Sequence, residues 1–366
     1  MNFLRPIGPG NPGFVAFVML VSVCQTGYPA SKPPKEPRFE QRRLSSWLLA
    51  MPDWFECTPT NCQPFLALGS NAVPYLAWVV TRTNVEMGDV LSVLRMLHAE
   101  RTIEPSAEML RSVQAKAAFV LEQLGPVARP AAPALLVALR QGSGDQKLGA
   151  ALALASILPR NARAMGLLEA VLDSSPITTI PHDRPRDPDS AVAQALAELT
   201  TQPRSGPWER AVATVALCQL SEDPSDAVKL LIHRWANQDS AFRMNILPLL
   251  TSRLRDQALP VIQRAQGDPD PRVRRNAVVL ISSLHGPHPV EVTESLVRGT
   301  KDTNADVRRV TLETLWRIQP NSDTALDAAL RGVTDEDASV RSTAAAKLSR
   351  YSGPRAMEIP PAYRRR

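Results

Sequence analysis

The chain has 366 residues, a mass of 40.0 kDa and a formal net charge of +6 at pH 7. Hydrophobic residues make up 44% of it but aromatic residues only 5%, so Ala, Leu and Val carry the apolar content and favour closely packed helices over sheets. Residues 203–354 contain 20 Lys and Arg against 18 Asp and Glu. This balance argues against the basic face that nucleic-acid binding requires.

The amino terminus has the pattern of a secretory signal. A basic residue precedes an apolar run over residues 14–24, which has the length of a signal-peptide core and is too short to span a bilayer. We therefore predict that residues 1–30 direct export to the periplasm, the cell envelope or the membrane surface. Two processing routes stay open. Either Cys24, in a stretch that resembles a bacterial lipobox, is lipidated and attaches the protein to the membrane, or cleavage follows Gly27 or Ala30.

A Pro-rich linker is predicted over residues 31–44, and the part of the chain richest in aromatic side chains follows it. Repeat arrays need a cap over their open end. We interpret this region as such a cap, with a docking surface as the alternative. The cap residues are Trp47, Leu48, Leu49, Trp54, Phe55, Phe65 and Trp78.

The cysteines have two different interpretations. Cys57 and Cys62 flank a turn-like stretch, and a short-loop disulfide between them is predicted for an oxidising compartment. A zinc site is excluded, because neither a second Cys pair nor a His pair accompanies them. Cys218 lies among apolar residues and is interpreted as a buried small side chain.

The carboxy-terminal half contains an internal repeat, in which Val-Arg pairs begin at Val273, Val307 and Val340. Three further columns keep the same offset: Asp268, Asp302 and Asp335; Asp270, Asn304 and Asp337; and Arg298-Gly299 with Arg331-Gly332. The second column holds residue types that cap helix N-termini. Each copy therefore predicts an amphipathic helix that starts there, and second helices are expected over residues 290–300 and 324–333.

Degenerate copies extend this register towards the amino terminus. Arg243 and Arg210 occupy the Arg column, and Ala-rich copies cover residues 116–139 and 66–76. The segments resemble HEAT repeats of the bacterial phycobilisome-lyase type, whose units read roughly V-R-x-x-A-x-x-A-L-x-x-L-G followed by A-x-P-x-L. The resemblance covers most of residues 65–350.

The resemblance implies an all-α fold, a right-handed superhelical α-α solenoid, which we predict over residues 45–351 with the aromatic cap at its start. It also implies a structural ladder of charged side chains between adjacent repeats. The ladder residues are Asp268, Arg274, Asp302, Arg308, Asp335 and Arg341.

Two segments depart from the repeat. Residues 174–190 are polar and Pro-rich, which predicts a loop insertion. Its oxygen-bearing side chains are of the kind that Ca²⁺ prefers, but a solvated loop is the simpler interpretation and no metal site is predicted. Residues 352–366 are predicted to be a flexible basic tail. The loop residues considered for contact with a partner are His182, Asp183, Arg184, Arg186 and Asp187.

The sequence contains no nucleophile elbow, phosphate-binding Gly-rich loop or metalloprotease motif. We therefore predict no catalytic residue, no cofactor and no enzymatic activity. The expected function is a scaffold that binds another protein on the concave surface of the solenoid, with no nucleic acid as partner. One alternative is a nucleic-acid-binding or DNA glycosylase-like HEAT protein that uses Trp208, Trp235 and Trp316. The other, which the name of the repeat type implies, is an enzyme that acts on a modified protein.

Overall fold

A computed structural model describes residues 34–52, 59–81, 107–142, 144–173, 188–201, 206–284 and 290–364. These ranges are almost entirely α-helical, which confirms the predicted all-α class. None of the helices in them is long and apolar enough to cross a membrane. Predictions for Cys24, Cys57, Trp54, Phe55 and the five loop residues at 182–187 lie outside the described residues.

A short antiparallel hairpin, β1 (Arg38–Phe39) and β2 (Arg42–Arg43), precedes the helices. Glu40 and Gln41 form its two-residue turn, with φ of 48° and 63°. A type I′ hairpin turn requires positive φ at both of these positions. The linker predicted over residues 31–44 therefore ends in regular structure, because the first helix begins immediately after β2.

Residues up to 222, apart from 172–174, belong to a first compact unit. Helices α3, α5 and α8 pack on one another in succession, as do α4, α6 and α9, and each helix of the first series packs on one of the second. A Cβ on Gly149 of α6 would lie 3.2 Å from the Cβ of Ala118 on α4, so small residues allow this close approach. The helices up to residue 222 are α1 (Leu44–Ala50), α2 (Gln63–Leu68), α3 (Val73–Val80), α4 (Ala107–Leu124), α5 (Ala132–Gln141), α6 (Gly144–Ile157), α7 (Ala162–Leu172), α8 (Pro188–Thr201) and α9 (Pro207–Leu220).

A second compact unit follows from residue 223. Helices α11, α13, α15 and α17 pack on one another in succession, and α12, α14 and α16 each pack on the helix that follows them. Val273, Val307 and Val340 of the repeat are all buried between these helices. The unit's helices are α10 (Pro224–His233), α11 (Ser240–Leu254), α12 (Leu259–Ala265), α13 (Pro271–Ile281), α14 (Val290–Gly299), α15 (Ala305–Ile318), α16 (Asp323–Gly332) and α17 (Ala338–Leu348).

The predicted helix starts in this unit are confirmed. Asp270, Asn304 and Asp337 each accept a hydrogen bond from a backbone N–H two or three residues further on, at 2.8, 3.2 and 2.8 Å. This bond satisfies one of the N–H groups that a helix leaves unpaired at its start. The second helices expected over residues 290–300 and 324–333 agree with α14 and α16 to within one residue at each end.

The last three residues of the loop insertion predicted over residues 174–190 are helical, because α8 begins at Pro188, and residues 174–187 lie outside the described ranges. Proline is well tolerated in a first helical turn, and an acidic residue there, Asp189, interacts favourably with the helix dipole. Asp189 also accepts a hydrogen bond from Nη2 of Arg129 at 3.3 Å.

The carboxy-terminal segment differs from the flexible tail predicted over residues 352–366. Ile359 is only 2% exposed, and Nη1 of Arg355 lies 3.0 Å from a carboxylate oxygen of Asp327 on α16. Nε of Arg364 donates to the carbonyl oxygen of Ile359 at 2.7 Å. One apolar side chain that leaves water and the ion pairs of Arg355 with α16 therefore hold the segment against the second unit.

Candidate binding face

Arg274 and Asp302, which the repeat places one unit apart, form a bidentate ion pair. Nε of Arg274 donates to Oδ2 of Asp302 at 2.8 Å, and Nη2 donates to Oδ1 at 2.7 Å. Arg308 and Asp335 repeat this geometry at 2.9 and 2.8 Å. The four side chains are between 8 and 13% exposed. Paired N–H···O bonds of this kind are strong and geometrically specific, so each pair joins one repeat to the next.

The same carboxylates organise the start of the following helix. Oδ1 of Asp302 accepts the backbone N–H of Asn304 at 2.8 Å, and Oδ1 of Asp335 accepts that of Asp337 at 2.9 Å. Nη1 of Arg308 donates to the backbone carbonyl of Asp302 at 2.8 Å. Because Asn304 and Asp337 are helix caps, the ion pair and the cap form one hydrogen-bonded network.

These contacts lower the pKa of both carboxyl groups. The hydrogen bond from Arg308 holds the pKa of Asp335 below its usual value, and a backbone N–H adds to the effect. At Asp302 burial is the largest influence and raises the pKa, but the hydrogen bonds from Arg274 and a backbone N–H together outweigh it, so this pKa is also lowered. Both groups are therefore ionised at neutral pH, and their charges are neutralised within the protein.

Asp268, another predicted ladder residue, has a richer environment. Its carboxylate lies 2.8 Å from Nε of Arg243, and it accepts hydrogen bonds from Nη2 of Arg243 at 3.1 Å and from the indole N–H of Trp235 at 2.8 Å. Asp268 is 2% exposed. The repeat register places Arg243 in the Arg column, and this position in the sequence indicates that Arg243 pairs with a ladder carboxylate. The participation of Trp235 has no counterpart in the repeat.

Arg341 is the last arginine of the ladder column and is exposed. Its Nη1 donates to the backbone carbonyls of Asp335 and Glu336 at 2.7 and 2.8 Å, as the earlier ladder arginines do within their own repeats. The repeat ends here, and its Nε and Nη2 have no carboxylate partner in the described part of the chain. The three pairs that precede it are internal, which leaves their residues unavailable for a ligand.

Each glycine of the Arg-Gly column allows its helix to approach the following helix closely. A Cβ on Gly299 would lie 2.9 Å from Oγ1 of Thr311 on α15, and one on Gly332 would lie 2.8 Å from the Cβ of Ala344 on α17. Real Cβ atoms do not approach other atoms so closely. The glycines of the repeat are therefore required by packing.

Three arginines, each followed by Ala or Gly, have a different environment from the ladder arginines. Arg264, Arg298 and Arg331 occupy equivalent positions in the last turns of α12, α14 and α16. In each case the residue after the Arg faces the next helix. Because successive residues of an α-helix are separated by a fixed angle around its axis, the three Arg side chains are all turned away from that next helix by the same angle. All three are exposed, and their side chains have no hydrogen bond or ion pair among the described residues. We call Arg264, Arg298 and Arg331 the arginine row.

A cavity of about 560 Å³ lies beside Arg298. Polar side chains from α12 and α14 line it, including Gln263, Glu291 and Ser295, together with the apolar Val278. Its volume falls within the range of roughly 300–1,000 Å³ that is typical of ligand pockets. In the sequence, Arg298-Gly299 and Arg331-Gly332 stand out as a column, but nothing in that column indicates a binding role. Arg264 does not stand out, because Ala replaces Gly after it.

The tryptophans considered for nucleic-acid contact are largely in the core. Trp235 is 1% exposed and Trp316 is 8% exposed. The ring of Trp316 packs edge-on against Tyr351, with 6.2 Å between centroids. Trp208 is half-buried. Two of the three rings therefore have no accessible face on which a base could stack.

Five of the predicted cap residues are described: Leu48, Phe65 and Trp78 are less than 9% exposed, and Trp47 and Leu49 are half-buried. The ring of Trp47 packs against Phe39 with 6.0 Å between centroids, and the guanidinium of Arg42 lies 4.3 Å from its centroid. The hairpin and the first helix therefore share one aromatic contact.

The described residues offer little reactive chemistry. Cys62 is buried, while its predicted disulfide partner lies outside the described ranges. Burial raises the pKa of Cys218 to about 12, so this thiol is not ionised at neutral pH. The described residues contain no group of three or more His, Cys, Asp and Glu that could hold a metal ion.

No family model matches the sequence, and the comparison with curated proteins also gives no match. Among solved structures, one similar chain is the crystal structure of an engineered protein from the Northeast Structural Genomics Consortium. It is 16% identical over 83% of this chain and 87% of its own, with a TM-score of 0.28. Likeness at this level carries no weight for fold or function.

Proposed function

We propose that this chain is a HEAT-type α-α solenoid that binds another protein without catalysing a reaction, and that the arginine row is its contact surface. In such a solenoid one helix of each pair lines the concave surface, and we assign that place to α12, α14 and α16. The observation that supports the proposal is a contrast between two sets of arginines. The ladder arginines Arg274 and Arg308 are neutralised by carboxylates inside the protein, whereas the arginine row is exposed and has no acidic partner among the described residues.

The spacing of the arginine row indicates the chemistry of the partner. Helices α12, α14 and α16 each pack on one member of the series α13, α15 and α17, and the members of that series pack on one another. Packed helices lie about 8–10 Å apart, so the three guanidinium groups recur at about that interval. A polyproline II segment rises about 3.1 Å per residue and has three residues per turn. It therefore presents the same side about every 9 Å. An extended, Pro-rich segment with an acidic side chain at every third residue matches the row, because guanidinium binds carboxylate in a bidentate manner.

A fluorescent peptide of five Glu-Pro-Pro units is a direct probe of this surface. Fluorescence anisotropy with the full chain measures its affinity, and we expect saturable binding that weakens as salt is added. Replacing Arg264, Arg298 and Arg331 together by Ala is expected to abolish the binding. Two exposed arginines outside the row, Arg275 and Arg350, provide the matched control, and their replacement by Ala should leave the affinity unchanged.

A second peptide of the same composition, with all its Glu residues adjacent, tests whether spacing matters. Equal affinity for both peptides would mean that the row acts only as diffuse positive charge and would contradict the proposed geometry. Tighter binding of single-stranded DNA than of either peptide, lost in the triple Ala variant, would instead support the nucleic-acid alternative.

Export forms a separate part of the proposal and rests on the amino-terminal sequence. We infer that residues 1–30 are removed, or that Cys24 is lipidated, as the protein leaves the cytoplasm. Mass spectrometry of the protein from its own cells identifies the mature N-terminal residue. Retention of Met1 would contradict export, whereas an N-terminal lipidated Cys24 would select the lipoprotein route.

A further inference from the structure

One turn between paired helices carries an arginine where its sister turns carry glycine. The sequences Leu68-Gly69, Leu124-Gly125 and Leu254-Arg255 are each followed, after two residues, by Ala-x-Pro. In all three turns a helix ends and a 3₁₀ turn leads into the next helix. The second residue has φ of +52° at Gly69, +58° at Gly125 and +50° at Arg255.

Glycine adopts this backbone conformation freely, but a residue with a Cβ does not. Arg255 combines φ of 50° with ψ of −122°, which matches φ of 52° and ψ of −128° at Gly69. The backbone of the turn is therefore that of a glycine, and the arginine is held in it at a conformational cost. Residues held in such conformations concentrate at functional sites. This favours a functional role for the side chain of Arg255.

Arg255 lies at a second cavity, of about 580 Å³, between the carboxy-terminal ends of α11 and α13. Pro248, Leu280 and Leu284 provide an apolar wall. Arg255 and the adjacent Asp256 also line the cavity and have no hydrogen bond or ion pair of their side chains among the described residues. The cavity, which three Ser and Thr residues also line, thus combines one cation, one anion, hydroxyl groups and an apolar surface, on the scale of a small ligand.

The two opposite charges select among anionic ligands. The Arg255 fork matches a carboxylate or a phosphate, but the Asp256 carboxylate beside it repels a dianion more strongly than a monoanion. A neighbouring ammonium group would be stabilised by Asp256 and by the partial negative charge at the ends of α11 and α13. We infer that this cavity binds the α-carboxylate of an apolar residue, either a free amino acid or the last residue of a peptide. Arg255 holds the carboxylate, and Leu280 and Leu284 contact the side chain.

Isothermal titration calorimetry of the full chain with L-leucine, N-acetyl-L-leucine and L-leucinamide separates these sources. We expect saturable binding of at least one of the two carboxylates and none of the amide. R255A should reduce the affinity at least tenfold, since it removes the guanidinium and keeps a side chain at positive φ. R255G should lose binding equally but melt at a higher temperature than R255A, because glycine relieves the backbone.

D256N identifies the source of the carboxylate. A loss of affinity for leucine but not for N-acetyl-leucine supports a free amino acid as ligand, and equal binding of both, unaffected by D256N, supports a peptide terminus. The site is independent of the arginine row, so R264A should leave leucine binding unchanged. The absence of binding of either carboxylate at 10 mM, taken as roughly the weak limit of specific recognition, or unchanged binding by R255A, would overturn the inference.

Discussion

Arg308 binds Asp335 across the boundary between two helix pairs, and each of two guanidinium nitrogens donates to a different carboxylate oxygen, at 2.9 and 2.8 Å. The same carboxylate accepts the N–H of Asp337, which caps α17. A single ion pair thus fixes both the stacking of the repeats and the start of the next helix. Its removal is expected to affect the second unit as a whole.

The substitution D335A should lower the free energy of unfolding by about 3 kcal/mol, because it leaves the buried guanidinium of Arg308 with only the exposed side chain of Glu336 as a counter-charge. Urea denaturation followed by circular dichroism measures the change. D306A is the matched control, since the Asp306 side chain is 66% exposed and contacts Arg309 on the surface. If the two variants have equal stability, the ladder pair contributes nothing beyond a surface contact.

Stability should fall in acid because of the ladder carboxylates. The pKa of Asp335 is below its unfolded value of about 3.9, through its hydrogen bond from Arg308. The stabilisation is therefore fully present above about pH 4 and is lost as the pH falls through the lower, folded pKa. Urea midpoints measured from pH 6 to pH 2.5 should decrease, and D335N should show a smaller decrease than the wild-type chain. An identical pH dependence in the two proteins would contradict this assignment.

Because of the close approach at Gly332, replacing this residue by Ala should change the stability in the direction opposite to that expected from helix propensity. G332A should destabilise the protein by about 1–3 kcal/mol, because the new Cβ would lie 2.8 Å from Ala344 and must push the two helices apart. A Cβ on Gly166 of α7 would have open space around it to a distance of 4 Å, so G166A should stabilise by about 0.5–1 kcal/mol. Thermal unfolding of both variants tests the pair, and stabilisation by G332A would refute the packing argument.

The hairpin turn at Glu40 and Gln41 should accept a better turn sequence. Both residues have positive φ, which Asn-Gly adopts with less strain. The double substitution E40N/Q41G is expected to raise stability by roughly 1 kcal/mol. Hydrogen exchange at Leu44, whose N–H donates to the carbonyl of Pro37 at 3.1 Å, should slow accordingly. E40A, which keeps a side chain at positive φ, should produce no such slowing.

Features that depend on neighbours within a few residues could be predicted from the sequence. The caps at Asp270, Asn304 and Asp337 and the bounds of α14 and α16 agree with expectation, because capping and helical periodicity are local. The repeat offset also placed Arg274 and Asp302 in separate columns. It could not decide whether Arg274 pairs with Asp268 of its own repeat or with Asp302 of the next. In the structure, Nη1 of Arg274 donates to the backbone carbonyl of Asp268, whereas Nε and Nη2 donate to the carboxylate of Asp302.

The tail and the loop show where local reasoning stops. Basic residues near the end of the chain suggested a solvated tail, but Arg355 reaches Asp327 on α16 and Ile359 is buried. Whether such a segment stays in solvent depends on what surface is available beside it, and residues far along the chain supply that surface. The start of α8 at Pro188 is a local feature, and the sequence rule for proline in a first turn could have found it.

The sequence by itself determined the all-α class, the repeat and the caps, because hydrophobic periodicity and capping act through neighbours one or two turns away. Only the tertiary structure decided which charged side chains are paired inside the protein and which stay exposed. Arg274 and Arg264 are both arginines on repeat helices, yet packing pairs the first with a carboxylate and pairs the second with no carboxylate of the described residues. The φ of 50° at Arg255 likewise became visible only in the structure, because a residue with a Cβ does not by itself indicate a left-handed backbone.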